Sequence, residues 1–349
     1  MSSGKPLIDV LTGRLPFRRP IWLMRQAGRY LPEYQKVRSE AGSFLKLCDT
    51  PRLAFEVTMQ PLRRYDLDAA IVFADILLIA RALGCEVDFR ESEGPVVSPV
   101  QSASDLAKLK REFEIGDLGA VFETISLVRR SLGEGQALIG FCGAPWTVAS
   151  YMIEGGAVSE RIRSRRTAME NPSWFVELMG RLIDGSVSYL AAQVEAGAEA
   201  LQIFDSWAGD LPEFLHEDLV FAPIQRIIEG LQRRVGSVPV IVFARGLGAA
   251  HAALALACRP NAISVEPSVP LEWLRAEVSP IVAVQGNLDP LALVMGGKVL
   301  KRAARRITAS LPMHGHIFNL GHGVRPETAP EHVSELISTV RTADGELVG

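Results

Sequence analysis

The sequence predicts an α/β protein folded as a single (β/α)8 (TIM) barrel. Short runs rich in Val, Ile, Leu and Phe recur along almost the whole chain, and longer segments with helical periodicity separate them. A run that stays apolar throughout is typical of a parallel strand covered on both faces, because a half-exposed strand would alternate. Eight such runs, alternating with helical segments, favour a parallel barrel surrounded by helices.

The eight runs are the expected barrel strands. They are Ile21–Met24, Ala69–Ala74, Ala137–Cys142, Ala200–Phe204, Val238–Phe243, Ala262–Val265, Ile281–Gln285 and His316–Leu320. A doubly wound open sheet is the competing fold, but the sequence has neither G-x-G-x-x-G nor G-x-x-x-x-G-K-[ST], the phosphate-binding motifs of such sheets. We therefore expect residues 1–349 to form one barrel domain.

Apolar spacing predicts the helices between these strands. Trp174–Gly197 carries apolar residues at helical spacing and ends at a glycine, and Asp218–Arg234 shows the same apolar stripe. Ala103–Phe113 and Ala120–Leu132 form a predicted helical region before the third strand.

A polar stretch, Arg90–Asp105, separates the second strand from the third. A linker is one interpretation of this composition. Its short length and its place inside the barrel favour a small hairpin insertion after the second strand, with Val87–Glu91 paired to Val96–Val100.

Charge and composition limit the classes of partner. Lys and Arg total 37 against 40 Asp and Glu, which gives a formal net charge of -3. Without a broad positive field we expect no nucleic-acid or membrane partner, and an anionic ligand must be met by local arginines. No run approaches the roughly 18 apolar residues of a membrane span, and the start of the sequence has no apolar leader core. We expect a cytoplasmic protein.

Four cysteines, Cys48, Cys85, Cys142 and Cys258, are scattered without a C-x-x-C pair. They are predicted to be reduced thiols. His314 and His316 form an H-x-H pair, which could present two rings to a metal. No cysteine or carboxylate motif accompanies them, and they lie at the amino end of a strand. We therefore predict no metal site.

The chemistry of a barrel lies just past the carboxyl ends of its strands. After the first strand comes Arg25–Tyr30 (RQAGRY). If this segment forms a helical turn, Arg25 and Arg29 share one face and can clamp carboxylates with their guanidinium groups. Alternatively, they form a solvated pair bonded to Glu33 or Glu40.

Carboxylate and hydroxyl groups follow two other strands. Asp75 lies between two apolar segments, where it is either a negative group facing the site or a helix N-cap. Ser206 has the same ambiguity, because Asp205 or Ser206 can serve as a cap. With His322 they could form a Ser-His-Asp triad, but no G-x-S-x-G surrounds the serine.

Two further candidates are Tyr151 and His322. Tyr151 lies in the helix that follows the third strand, where a core tyrosine with a bonded hydroxyl is the alternative. His322 lies in a Gly-His-Gly turn beyond the eighth strand. It can donate to an anion or transfer a proton, or it is simply a turn residue.

Two long motifs carry a resemblance to a known family. Pro20–Arg38 (PIWLMRQAGRYLPEYQKVR) and Gly140–Gly156 (GFCGAPWTVASYMIEGG) resemble the signatures of the uroporphyrinogen decarboxylase family. Shorter segments also match its pattern: Thr58–Asp75, Gln202–Gly209, Gln285–Pro290 and Phe318–Val324. One departure is Val265-Glu266-Pro267, where the family more often shows an Asp-Trp pair, on one wall of the predicted cleft.

The resemblance implies a homodimeric (β/α)8 enzyme of heme biosynthesis that uses no cofactor. The family removes the four acetate carboxylates of uroporphyrinogen to give coproporphyrinogen. Asp75 and Arg25 are its implied catalytic residues, with Arg25 as proton donor. The implied substrate-binding residues are Arg25, Gln26, Ala27, Gly28, Arg29, Asp75, Tyr151, Ser206 and His322.

The residue types fit this chemistry. Loss of CO2 from a pyrrole acetate needs an electron sink, and a pyrrole protonated on a ring carbon can supply one without a cofactor. Asp75 would stabilise the cationic ring, and Tyr151 could orient the Asp75 carboxylate. Two other functions stay open. One is a zinc-dependent methyltransferase of the methylcobalamin:coenzyme M type, although the H-x-C motif is absent, and the other is a tetrapyrrole-binding barrel without activity.

Overall fold

Seven parallel strands form one sheet at the centre of the protein, in a computed structural model that describes residues 3–90 and 94–348. The strands are β1 Ala69–Ile71, β2 Val87–Arg90, β3 Gly94–Val97, β4 Ala137–Gly143, β5 Ala200–Asp205, β6 Val240–Ala244, β7 Ala262–Ser264, β8 Ala283–Leu288 and β9 His316–Leu320. The order in the sheet is β1-β4-β5-β6-β7-β8-β9, and β2 pairs only with β3. The second to eighth predicted strands are confirmed within a few residues.

These strands are buried, and their sequences are mostly apolar. Nearly every residue of β4, β5, β6 and β9 is inaccessible to solvent. Helices cover the sheet, as the alternating sequence predicts. Since all seven strands run parallel, their carboxyl ends meet at one edge, and the loops that follow them lie together.

The segment Ile21–Met24 was predicted to be the first strand, and this prediction is wrong. Ile21 makes only an isolated parallel bridge with Phe318. The Leu23 and Met24 amides donate instead to side chains, those of Gln26 and Asn319. Because side chains take these amides, no strand ladder forms.

The segment nevertheless lies between β9 and β1. The Phe318 amide donates to Pro20 O at 2.9 Å, and the Trp22 amide donates to Phe318 O at 3.3 Å. On the other side, the Asp68 amide donates to Ile21 O at 2.9 Å. Backbone hydrogen bonds therefore connect the two outer strands of the sheet through this segment.

Strands β2 and β3 pair antiparallel between β1 and β4. Val87 lies opposite Val97 and Arg90 lies opposite Gly94, so the pairing begins and ends earlier on the second strand than predicted. The predicted extension to Val100 does not pair, because its amide donates to Met152 O. Glu91 lies outside the described residues.

The helices follow the same chain order. They are α1 Pro6–Leu11, α2 Pro32–Ala41, α3 Phe44–Cys48, α4 Pro51–Arg64, α5 Leu78–Ala82, α6 Ala103–Leu106, α7 Gly119–Ser131, α8 Pro145–Glu154, α9 Ile162–Glu170, α10 Ser173–Ala196, α11 Ala222–Val235, α12 Ala250–Cys258, α13 Leu271–Trp273, α14 Pro290–Met295, α15 Gly297–Ser310 and α16 Pro330–Val348. Short 3₁₀ segments occur at Ile115–Leu118, Ala208–Asp210, Glu213–Leu215 and Met313–Gly315, and π-helical segments at Glu217–Phe221 and Leu274–Val278.

Three of the four predicted helices are confirmed. They are α7, α10 and α11, the last of which is preceded by a π-helical turn. The prediction of Ala103–Phe113 is wrong beyond Leu106. There Arg181 Nη1 donates to the carbonyls of Leu106, Leu109 and Lys110 at 3.1–3.2 Å. These carbonyls have a partner outside the helix, and the chain leaves the helical path.

At the amino ends of the strands, Arg19 joins distant parts of the chain. Its guanidinium is buried and pairs with Asp344 of α16 at 2.9 Å. It also bonds Nδ1 of His316 at 2.6 Å, while Nε2 of that ring lies 2.7 Å from Gly286 O. Both ring nitrogens of His316 are thus used in hydrogen bonds. His314 is exposed.

The remaining general expectations concern cysteines, metals and membranes. All four cysteines are buried free thiols, as predicted. Among residues 3–90 and 94–348, no group of three or more His, Cys, Asp or Glu side chains is arranged to hold a metal ion. No helix in the same residues has both the length and the apolar character needed to cross a membrane.

Candidate active site

The carboxyl edge of the sheet carries a group of polar side chains, which we call the mouth. Its members are Arg25, Asp75, Tyr151, Ser206, Arg245 and His322. Each follows a different strand or the Ile21 bridge. The topology thus brings together residues that lie up to about 300 positions apart in the sequence.

Arg25 is placed by a tight turn, not by a helix. Its backbone is left-handed, with φ of 61°, and α2 begins only at Pro32. The conditional prediction of a helical turn over Arg25–Tyr30 is therefore wrong. A Cβ atom built on Gly323 would lie 2.3 Å from Arg25 Cδ, so the arginine side chain lies directly across that glycine.

The electrostatic surroundings of Arg25 are those of the mouth. Burial of the guanidinium lowers its pKa, Tyr151 and Asp75 act in the opposite direction, and Arg29 lowers it further. The alternative of a surface pair with acidic neighbours is not what the structure shows, because Glu33 pairs with Arg64 instead. Arg25 faces Asp75 and Tyr151.

The residues after Arg25 have different surroundings. Gln26 is buried, and its side chain accepts from the Leu23 amide and donates to Ala69 O at 3.0 Å each. The side chain of Gln26 thus fastens the turn to β1. Its backbone amide donates to Leu23 O and its carbonyl accepts from the Tyr30 hydroxyl, both at 2.9 Å. Ala27 and Gly28 are half-buried in the turn, and Arg29 is exposed.

Asp75 is half-buried at the mouth, four residues past β1. Its Oδ1 accepts from the Leu77 amide at 2.8 Å, but α5 begins at Leu78 and its cap residue is Leu77. Burial raises the pKa of Asp75 to about 6, while the Leu77 amide and Arg25 counteract this effect. This pKa lies below neutral pH, so the carboxylate is the favoured form there, and the charge of Arg25 favours it further.

Tyr151 and Trp207 form the neighbouring wall. Their ring centroids are 5.9 Å apart, and the guanidinium of Arg161 lies 3.7 Å from the centroid of Trp207. Arg161 also forms an ion pair with Asp210. Burial raises the pKa of the Tyr151 hydroxyl, and the charge of Asp75 raises it further. Tyr151 is thus a neutral donor beside Asp75, not an enclosed core residue.

The end of β5 holds a second buried carboxylate. Asp205 is inaccessible to solvent, its Oδ1 accepts from Thr147 Oγ1 at 2.5 Å, and its Oδ2 has no partner in the part of the chain that the structure describes. Thr147 Oγ1 in turn accepts from the Trp207 amide at 3.2 Å. Burial raises the pKa of Asp205 to about 7.

The predicted capping role of Asp205 or Ser206 is not seen. The 3₁₀ segment that follows begins after Trp207 and has no side-chain cap. Ser206 is half-buried at the mouth. Within residues 3–90 and 94–348, no hydrogen bond joins Ser206, His322 and Asp75, so the structure shows no assembled triad.

His322 is neutral in these surroundings. Burial, together with the charges of Arg25 and Arg245, lowers its pKa to about 4. Its Nδ1 is buried and has no partner among the described residues. An uncharged imidazole at this position can donate or accept one hydrogen bond but adds no positive charge.

Two features of the mouth were missed from the sequence. Arg245 directly follows β6, and its place as the first charged residue after a predicted strand is the same signal that identified Asp75. The second is an aromatic floor of Phe141, Phe204 and Phe243, whose neighbouring rings are 5.6 and 6.1 Å apart. Their inward direction depends on the register of neighbouring strands.

In the wall at Val265-Glu266-Pro267, the Glu266 side chain contacts another residue of the protein. Glu266 Oε2 lies 3.2 Å from Nε2 of the buried His251. Burial raises the pKa of Glu266, but the hydrogen bond and charge of His251 outweigh this effect, so that its pKa is lowered. Pro267 packs so closely on Gly321 that a Cβ there would lie 2.4 Å from its Cδ.

Comparisons with solved structures show the fold. The chain is similar to a methyltransferase from Methanosarcina mazei, with a TM-score of 0.79, 19% identity and 100% of both chains covered. It is also similar to a B12-independent methionine synthase from Shewanella sp. W3-18-1, with a TM-score of 0.56, 13% identity, and 85% of this chain and 87% of that chain covered. At these identities the likeness concerns architecture alone.

Comparisons of sequence identify a family and relatives of much higher identity. The uroporphyrinogen decarboxylase (URO-D) family matches residues 2–343. A uroporphyrinogen decarboxylase from Rhodospirillum rubrum is 46% identical, over 97% of each chain. Another, from Paracoccus denitrificans, is also 46% identical, over 97% of this chain and 99% of the relative. The chain therefore belongs to the uroporphyrinogen decarboxylase family.

Proposed function

We propose that this chain decarboxylates the four acetate side chains of uroporphyrinogen and so produces coproporphyrinogen for heme biosynthesis, with no metal or organic cofactor. One observation carries the proposal. Asp75, Arg25 and Tyr151 lie close enough to shift one another's pKa, in a mouth with an aromatic floor. This arrangement suits a large, many-charged macrocycle whose reaction passes through a cation.

The proposed reaction uses the pyrrole as its own electron sink. A proton adds to a ring carbon, and the bond between the acetate methylene and its carboxylate then breaks. The electron pair flows into the cationic ring as CO2 leaves. The methylene takes up a proton to become a methyl group and the ring releases one, so that each acetate consumes one proton overall.

Asp75 stabilises this cation in the proposal. It accepts hydrogen bonds from pyrrole N–H groups, and its charge offsets the positive charge that develops in the transition state. Arg25 is the proposed proton donor. Burial and the neighbouring Arg29 both lower the pKa of Arg25, which supports that role.

The remaining site residues bind substrate carboxylates and ring edges in the proposal. Arg29 clamps a carboxylate, His322 donates from its neutral ring, and Tyr151 and Ser206 contact the substrate from the opposite wall. The backbone of Gln26, Ala27 and Gly28 lines the turn beside Arg25. The methyltransferase alternative is not favoured, because the sequence has no H-x-C motif.

We also propose that the whole chain is one closed (β/α)8 barrel domain, with β2 and β3 as a hairpin insertion. The hydrogen bonds that connect β9 to β1 through Pro20, Ile21 and Trp22 support closure. A homodimer in the cytoplasm completes the proposal. Exposed apolar side chains near the Arg161–Asp210 pair support the dimer. They are Val158, Ile162 and Phe214, which are 40%, 65% and 67% exposed.

Asp75→Asn tests the mechanism. The amide can still accept from the Leu77 amide and from pyrrole N–H groups, but it carries no charge. We expect substrate to bind while kcat for CO2 release falls by about 10²–10³, the loss typical of one preorganised electrostatic contact. CO2 release from uroporphyrinogen, with and without a chelator, is the measurement. Near-normal kcat in a folded variant would contradict the mechanism, and a chelator-sensitive, zinc-restored activity would contradict the cofactor-free reaction.

A further inference from the structure

We propose that Arg245 is a further substrate-binding residue, which holds a carboxylate of the porphyrinogen on the side of the mouth away from Asp75. The inference deepens the proposed function and rests on it. It assigns a specificity role to a side chain that the family resemblance does not include among the site residues.

The backbone of Arg245 is firmly placed. Its amide donates to Asp205 O at 2.9 Å, and its carbonyl accepts from the Gly209 amide at 2.9 Å. The next residue, Gly246, packs so closely on Gly209 that a Cβ on Gly209 would lie 2.6 Å from Gly246 Cα. The position of Arg245 is therefore fixed relative to the turn that carries Ser206.

Arg245 directly follows β6, and its amide still bonds Asp205 O of β5, so the alternation of the strand extends to it and places its side chain on the same face as that of Phe243. Side chains two residues apart share a face of an extended strand. Phe243 belongs to the aromatic floor, and its ring centroid is 6.2 Å from that of His322. Arg245 therefore comes one step above Phe243, toward solvent and beside His322. The lowered pKa of His322 agrees, since Arg245 contributes to it.

Arg245 has its charge available. The residue is exposed, and its guanidinium makes no ion pair or hydrogen bond with residues 3–90 and 94–348. Arg161, beyond Ser206, differs in this respect because it is already paired with Asp210. An unpaired guanidinium in a concave site binds a carboxylate through two parallel hydrogen bonds.

The place of β6 determines which carboxylate Arg245 meets. Three steps in the sheet, through β4 and β5, separate β6 from β1, which precedes Asp75. The reacting acetate lies by Asp75 and Arg25 in the proposed function. The carboxylate bound by Arg245 is therefore one that stays on the macrocycle while the acetate beside Asp75 loses its carboxylate. Such a contact is equally strong in the ground state and the transition state, and so contributes to KM.

The first test is steady-state kinetics of Arg245→Gln with uroporphyrinogen. We expect KM to rise about tenfold or more while kcat changes less than about threefold. Arg245→Lys keeps the charge without the fork and should recover part of the loss. Arg226→Gln is the matched control, because it removes an exposed arginine of α11 away from the mouth and should leave both constants unchanged.

A second readout does not need activity. Loss of a positive charge beside His322 should raise its pKa above about 4 in Arg245→Gln but not in Arg226→Gln, as followed by NMR titration of the histidine ring. If the wild-type protein releases no CO2 from uroporphyrinogen, the proposed function fails, and the titration still tests the placement of Arg245. If the wild type is active and Arg245→Gln has an unchanged KM, the Arg245 proposal is wrong.

Discussion

Gly323 gives the Arg25 side chain its place in the mouth. An added Cβ would lie 2.3, 2.7 and 3.0 Å from the Cδ, Cγ and Nε atoms of Arg25, closer than real side chains approach. The obstructed atoms belong to a flexible side chain, so the arginine can move while the backbone stays. A substitution here therefore separates the position of Arg25 from the stability of the fold.

Gly323→Ala is expected to lower kcat/KM for uroporphyrinogen by about tenfold to a hundredfold, because it displaces a group that must meet the reacting carboxylate. The free energy of unfolding in urea should change by less than about 1 kcal/mol. Gly315→Ala, where a Cβ meets nothing within 4 Å, is the control and should keep its activity. Unchanged kinetics in Gly323→Ala would show that Arg25 does not act from this position.

Single residues of the mouth could be predicted from the sequence, but their protonation states could not. Asp75 and His322 come soon after apolar runs, and that order alone places them at the carboxyl edge of a parallel sheet. Whether each is charged depends on burial and on arginines far away in the sequence. His322 is neutral because Arg25 and Arg245 approach it from other strands, which no local pattern reveals.

At the scale of elements, the sequence predicts best where burial alone decides. The seven strands of the sheet are mostly apolar, so their positions can be predicted within a few residues. Two of the elements predicted wrongly have backbone groups that bond distant side chains. Asn319 takes the Met24 amide, and Arg181 takes the carbonyls that would have continued α6. Such partners are visible only in three dimensions.

The turn after β5 depends on a buried acid that changes charge near neutral pH. Asp205 and Thr147 together hold the Trp207 amide, and Trp207 supports both Tyr151 and Arg161. Burial, with a smaller contribution from the nearby Asp210, raises the pKa of Asp205 to about 7. In unfolded chains the group titrates near pH 3.9.

Asp205→Asn is expected to change the pH dependence of stability. Between about pH 4 and 7, folded wild-type protein keeps a proton that the unfolded chain releases. The contribution of Asp205 to the free energy of unfolding therefore falls as the pH rises, on the order of 2–4 kcal/mol in total. The variant lacks this decline and should lose less stability between pH 5 and 8.

Urea unfolding at several pH values measures the effect. Asp218→Asn, which changes an exposed carboxylate, is the control and should follow the wild type. Parallel curves for wild type and Asp205→Asn would mean that Asp205 does not titrate in this range.

At the scale of the whole molecule, α16 holds the Ile21 segment and β1 together. Asp68 is buried, its Oδ2 accepts from the Ile21 amide at 2.7 Å, and it pairs with Arg341 at 2.6 Å. Asp344 pairs with the buried Arg19. These contacts lie at the amino ends of the strands, opposite the mouth, and so serve stability and not chemistry.

Asp344→Ala should lower the free energy of unfolding by about 3–5 kcal/mol, because it leaves the buried Arg19 guanidinium without its charged partner. Glu327→Ala removes an exposed pair with Arg325 and should leave the free energy of unfolding nearly unchanged. Equilibrium unfolding in urea compares the two. CO2 release by Asp344→Ala well below its melting temperature should stay near that of the wild type. Equal stabilities for the two variants would contradict a structural role for the Arg19–Asp344 pair.

The Arg19–Asp344 contact also has a consequence for synthesis on the ribosome. The two residues are 325 positions apart, and chains grow at roughly 5–20 residues per second. Residues 18–24 thus emerge about 15–65 seconds before β9 and α16, with which they pair. During that interval β1 has an unpaired edge, and apolar side chains such as Trp22 lack their final cover. A nascent chain of this topology therefore has a long period in which a chaperone can protect it from aggregation.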